Sequence, residues 1–156
     1  MNRSVAPRCS SALPLNDPRV GNLDCGGLAN AQPVRCAGNR VAAISIGSGL
    51  QGMAVSCPGS PGPVEVRWSS SGWDFVLFFG SDDKSWHQIL DNFASHLHAH
   101  ALPPADGVFA VTYAADGAHS QAAWAIGSTV HTAFNDHSDT AAVDLTAALQ
   151  HRSSPQ

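Results

Sequence analysis

Three histidines alternate at His96, His98 and His100, the densest cluster of titratable side chains in the chain. On a helix, His96 and His100 stand four residues apart on one face, a spacing at which two imidazoles chelate one transition-metal ion. On a strand, all three would share a face. A complete site needs further ligands, and the neighbouring sequence offers only His87, on an earlier turn. Histidines in a last helical turn are also favoured without any metal, because the helix dipole stabilises positive charge there. That simpler reading is preferred. No metal and no cofactor is expected, and His96 and His100 are the residues to watch for metal ligation.

A second polar cluster holds His131, Asp136, His137 and Asp139. Imidazole beside carboxylate is the commonest acid–base pair, so His131, His137 and Asp136 are the candidate catalytic residues. The competing reading is a polar turn with a capping Asp. Asp82 and Asp83 fill the corresponding loop earlier in the chain, which makes the turn a repeated structural feature before a catalytic one.

Two motifs fail on context. Gly47-Ser48-Gly49-Leu50-Gln51-Gly52 has the G-x-G-x-x-G form, but a dinucleotide site needs a helix opening at its third glycine. Here the residues between Gly52 and Pro58 alternate like a strand. Ala43-Ile44-Ser45-Ile46-Gly47 approaches a nucleophile elbow, yet no helix follows to support Ser45. A glycine-rich strand-to-strand connection and an ordinary strand serine are expected instead.

Cys9, Cys25, Cys36 and Cys57 are separated by 15, 10 and 20 intervening residues. Zinc sites usually include a close C-x(2–4)-C pair, and none is present. An even count in a loop-rich stretch fits two disulfides, with one bridge ending at Cys57. Paired cysteines would imply an extracellular or periplasmic setting, and free ones the cytoplasm.

The elements that must position these residues emerge from hydrophobic periodicity. Strands are predicted over 41–46, around Met53, Val55 and Cys57, over 64–68 and over 73–79. The 64–68 segment alternates apolar and charged residues, as a half-buried strand does, whereas 73–79 is apolar on both faces and belongs in the sheet centre. Trp86, Ile89, Leu90, Phe93 and Leu97 form one helical stripe, which Ser85 and Gln88 open as a capping box and Pro103-Pro104 closes. Strands over 108–114, 121–126 and 129–134 follow, then a helix over 140–150 capped by Ser138 or Asp139.

A shift of 56 residues lays one half on the other. Met53 to Ser56 falls on Phe109 to Thr112, Trp68 on Trp124, Phe78 on Phe134 and Phe93 on Leu149. The expected fold is α+β, a two-layer antiparallel sheet with two helices on one face, built from a duplicated β-β-β-α unit. An irregular N-terminal arm spans 1–40. One pseudo-symmetric domain spans 41–152, with units 53–97 and 109–152, and a tail spans 153–156.

Charge narrows the partners. Residues 1–67 hold six Arg, scattered singly, against three acids; residues 68–156 hold only Lys84 and Arg152 against nine Asp. No phosphate-binding stripe exists, so nucleic acid is not expected. No apolar run approaches the ~20 residues of a membrane span, and no secretory h-region is visible. The functional expectation is a non-enzymatic protein–protein interaction module: an inhibitor or immunity-type partner, or an assembly subunit. Its partner would be another protein, and the N-terminal arm could serve oligomerisation. The alternative is a small exported hydrolase using His and Asp at the sheet-to-helix turns.

Overall fold

The computed structural model describes residues 36–153, apart from Ser48, residues 80–84, Ala101, Pro103, Ala115, residues 127–128 and Asp136. Most of the expected N-terminal arm, with Cys9 and Cys25, therefore lies outside the described residues.

Seven strands and two helices follow one another as β1 (Arg40–Gly47), β2 (Leu50–Ser56), β3 (Pro63–Ser70), β4 (Trp73–Phe78), α1 (Trp86–Ala99), β5 (Asp106–Ala114), β6 (Gly117–Ile126), β7 (Thr129–Asn135) and α2 (Thr140–Ser153). The α+β class expected from periodicity is what the chain adopts. All seven strands form one sheet in sequential order. Neighbours pair antiparallel except β4 and β5, which run parallel with Phe75 opposite Phe109 and Leu77 opposite Val111. This corrects the expectation of a wholly antiparallel sheet. The cause is the connection: β4 and β5 are joined through α1, and a crossover that carries the chain back across the sheet delivers the next strand parallel.

Local chemistry explains the turns and the centre. Ser71 and Gly72 form a two-residue loop between Ser70 and Trp73, both at positive φ (54° and 88°), as a tight hairpin requires. The Trp73 ring lies over Gly107, where a Cβ would come within 2.7 Å of it, so glycine there lets the parallel pair close up. β4, apolar on both faces, sits at the middle of the sheet, with Phe75, Val76 and Leu77 all buried. The alternation in β3 misleads in one respect. Val66 and Trp68 are buried as expected, but Glu65 on the opposite face is only 4% exposed. β3 is an interior strand whose Glu65 stands between Val55 and Phe78, so its charged face does not reach water freely.

The core is aromatic. Trp68 stacks on Phe75 at 5.1 Å, and Phe93 of α1 meets both Trp68 (6.2 Å) and Phe109 (5.7 Å). Trp124 of β6 and Val143 of α2 belong to the same buried cluster. The capping box does not form: Ser85 precedes α1, but with φ −95° and ψ 10° its side chain makes no cap bond. At α2 the cap is Ser138, whose hydroxyl accepts the Ala141 N–H at 3.0 Å.

Candidate binding cleft

Each residue advances about 100° around an α-helix, so α1 presents three distinct flanks. Leu90 and Phe93 point at the sheet and are buried. Asp91, Ala94, Ser95 and His98 fall together about a third of a turn to one side, while His96 and His100 fall on the other. The first of these side flanks faces a cleft, and the second faces α2.

The cleft has a volume of about 550 Å³. Its apolar walls are Ile46 and Leu50 from the β1–β2 hairpin, Trp68, Trp73 and Phe75 from β3 and β4, and Leu97 and Leu102. Ser70, Ser71, Asp91, Ser95 and His98 supply polar groups. Apolar walls with a few polar groups are the usual make-up of a recognition site. The glycine-rich stretch lies at this cleft: Gly47 ends β1 and lines it, and Leu50 opens β2. Its role is the strand-to-strand connection expected from sequence. Gly52 faces the Arg67 carbonyl, where a Cβ would come within 2.7 Å, and not a phosphate-binding helix. Ser45 is an exposed residue inside β1.

β1 is the first strand of the sheet, and among the described residues no strand pairs with its outer edge. Arg40 to Ala43 are all exposed, and Val41 and Met53 are the most exposed large apolar residues of this region. Val41 pairs with Val55, and Ala43 with Met53, so these four share one face at the sheet edge. Beyond Arg40, β1 carries neither charge nor proline, the usual devices that blunt an edge strand.

The residues singled out from sequence are distributed otherwise. The His131 ring stacks on Trp124 at 5.7 Å, directly across the β6–β7 ladder. His137 is exposed past the end of β7, its backbone N–H donating to the Asn135 side chain. Asp136 lies outside the described residues. Among the described residues, neither of these imidazoles is hydrogen-bonded to a carboxylate. Asp139 instead accepts a 2.7 Å hydrogen bond from the Tyr113 hydroxyl. Burial, and then that carboxylate, push the Tyr113 hydroxyl far above the ordinary tyrosine range.

Histidine and carboxylate do meet elsewhere, as at the exposed His87 and Asp91 of α1, 3.3 Å apart. His119 bonds Asp116 at 2.9 Å on the surface and holds its carboxyl below the usual range. His96 bonds Asp144 of α2, also at 2.9 Å. The His96 and His100 rings stack at 4.3 Å, and one ligand atom from each of His96, His100 and Asp144 lies within 4.8 Å of the others. Asp144 is the residue that sequence spacing missed, because it stands 48 positions from His96. The alignment by 56 residues gives no hint of it; only the packing of two helices on a common core brings them together. No helix among the described residues is long and apolar enough to cross a membrane. No protein-family model, no curated protein and no solved structure matches the chain.

Proposed function

We propose that this chain is a non-enzymatic protein-binding module that captures an extended segment of a partner protein along the outer edge of β1. An apolar side chain of the partner seats in the cleft beside Ile46, Trp68 and Trp73. The observation that carries this reading is an edge strand, without charge or proline from Val41 to Gly47, that runs directly into an apolar cleft. Main-chain hydrogen bonds to an added strand supply affinity, and a pocket for one side chain supplies specificity. An inhibitor or immunity-type protein, or an assembly subunit, would use such an edge. The scaffold is read as a duplicated β-β-β-α unit with both helices on one face. The repeated element order and the shared core position of Trp68 and Trp124 support that reading. The hydrolase alternative draws no support from a His131 stacked on Trp124 or from an exposed His137.

The test uses peptides from a displayed random library, selected on the full chain and titrated by tryptophan fluorescence, since Trp68 and Trp73 line the cleft. Selected peptides are expected to be extended, with an apolar anchor. Ser95→Trp, which fills the cleft mouth from an exposed position, should weaken them at least about tenfold, or ~1.4 kcal/mol. Proline at Ala42 or Ala43 should do the same. Whichever of the two has its N–H directed outward leaves the β1–β2 ladder intact, and circular dichroism identifies it. Peptides that bind the folded variants undiminished would overturn the proposal.

A further inference from the structure

We infer that His96, His100 and Asp144 form a binding site for a single divalent transition-metal ion, of the zinc, nickel or copper class, which clips α1 to α2. The inference is independent of the peptide-binding reading. It rests on the second side flank of α1, the one turned away from the cleft.

The donor set comes first. Two imidazoles and one carboxylate suit borderline dications, leaving the remaining coordination positions to solvent. The ligand atoms already lie within 4.8 Å of one another, and bonds of about 2.0–2.2 Å to one ion place two ligands at most about 4.4 Å apart, so these side chains close on the ion by small rotations. His100 and Asp144 are exposed and His96 is partly so, so an ion has an open approach.

The hydrogen bonds then show which nitrogens are available. The Nδ1 of His100 lies 3.2 Å from the His96 carbonyl oxygen. A carbonyl only accepts, so Nδ1 carries the proton and Nε2 holds the lone pair. Fixing one ring nitrogen on a backbone carbonyl is the usual way in which a ligating histidine is oriented. The same carbonyl accepts the His100 backbone N–H at 2.8 Å, which holds the end of the helix and therefore the ring. His96 presents Nε2 to Asp144 Oδ1. There the carboxylate accepts the Nε2 proton, and a metal ion entering between the two atoms takes the Nε2 lone pair once the neutral ring has changed tautomer and carries its one proton on Nδ1.

The location also gives the ion something to do. Of the described side chains of α2, Val143 and Thr146 are the fully buried ones, and the Thr146 hydroxyl has no hydrogen-bond partner. A helix held by small side chains gains from a second attachment, and the clip joins it to the end of α1. An i,i+4 histidine pair alone would bind metal on one helix and fasten nothing. Asp144 is what makes the site a link between two.

Zinc titrated into the full-length chain by calorimetry is expected to bind at one equivalent. It should raise Tm by about 5 °C or more at a hundredfold excess over Kd. Cobalt should give visible d–d bands of a low-symmetry nitrogen–oxygen site. Asp144→Ala should weaken zinc about tenfold or more and abolish the Tm rise. His98→Ala, on the cleft flank, should change neither. All substituted positions are exposed or partly so, and circular dichroism of each variant checks the fold. Zinc binding that is unaffected by Asp144→Ala, or that leaves Tm unchanged, would show a histidine pair acting alone. That result, or absence of stoichiometric binding, overturns the inference.

Discussion

The Tyr113 hydroxyl donates a 2.7 Å hydrogen bond to the Asp139 carboxylate, joining the end of β5 to the residue before α2. Phe79 stacks on the same Tyr113 ring at 5.4 Å, so the chain's single tyrosine is held between an apolar partner and a charged one. Alkaline titration reads this directly. An unfolded tyrosine ionises near pH ~10, whereas burial and Asp139 raise the folded group well beyond that. The unfolded chain therefore releases its proton first. Stability from this group is complete below about pH 10 and falls as pH rises further. Tyrosinate absorbance should appear only with unfolding, and Asp139→Asn should bring it to lower pH. Tyrosinate forming near pH ~10 in the folded protein would contradict this placement.

Arg67 donates to the Glu65 carboxylate and lies 6.0 Å from the centre of the Phe78 ring. Glu65 is nearly inaccessible, and its other oxygen has no partner. Arg67→Ala should thus cost about 3 kcal/mol in urea unfolding, because it strands a buried charge. The pair Glu65→Gln with Arg67→Met should recover most of that loss.

Phe93 lies at the centre of the aromatic core with no exposed surface. Phe93→Ala is expected to lower unfolding free energy by about 3–5 kcal/mol through lost burial and a cavity. His98→Ala, at an exposed position on the cleft flank, should stay within about 0.5 kcal/mol of the parent.

Much of this architecture is legible in the sequence. Periodicity located all seven strands and both helices to within a few residues, because β-branched alternation and the Trp86–Leu97 stripe are strong local signals. Three things were not local. The parallel pairing of β4 with β5 follows from the route of a connection, not from either strand. The burial of Glu65 depends on what lies against β3. The meeting of His96 with Asp144 depends on two helices sharing one core. The cleft was likewise invisible, since its walls come from four separate strands, one helix and Leu102. The glycine-rich stretch was conspicuous for a cofactor motif that it does not form, while its real place is beside the cleft. Nothing in its spacing indicates that.

Cys36 and Cys57 stand at disulfide distance, Cα to Cα 5.8 Å, tying the segment before β1 to the end of β2. The bridge joins residues 21 positions apart, for which chain-entropy arguments give about 3 kcal/mol. Peptide mapping of oxidised protein should recover the Cys36–Cys57 linkage, and reduction should lower Tm. Linkage of Cys57 to a different cysteine would contradict the arrangement at the base of β1.

The proposed capture of a partner strand makes a claim about individual amides. In the free protein, the β1 amides directed away from β2 should exchange quickly with solvent. With a library-selected peptide bound, NMR-detected hydrogen exchange should slow at every second residue between Arg40 and Ile46, and hardly change in β6 and β7. Alternating protection confined to β1, together with shifts of the Trp68 and Trp73 indole signals, is the expected result. Protection on another surface, with β1 exchange unchanged, would contradict the account.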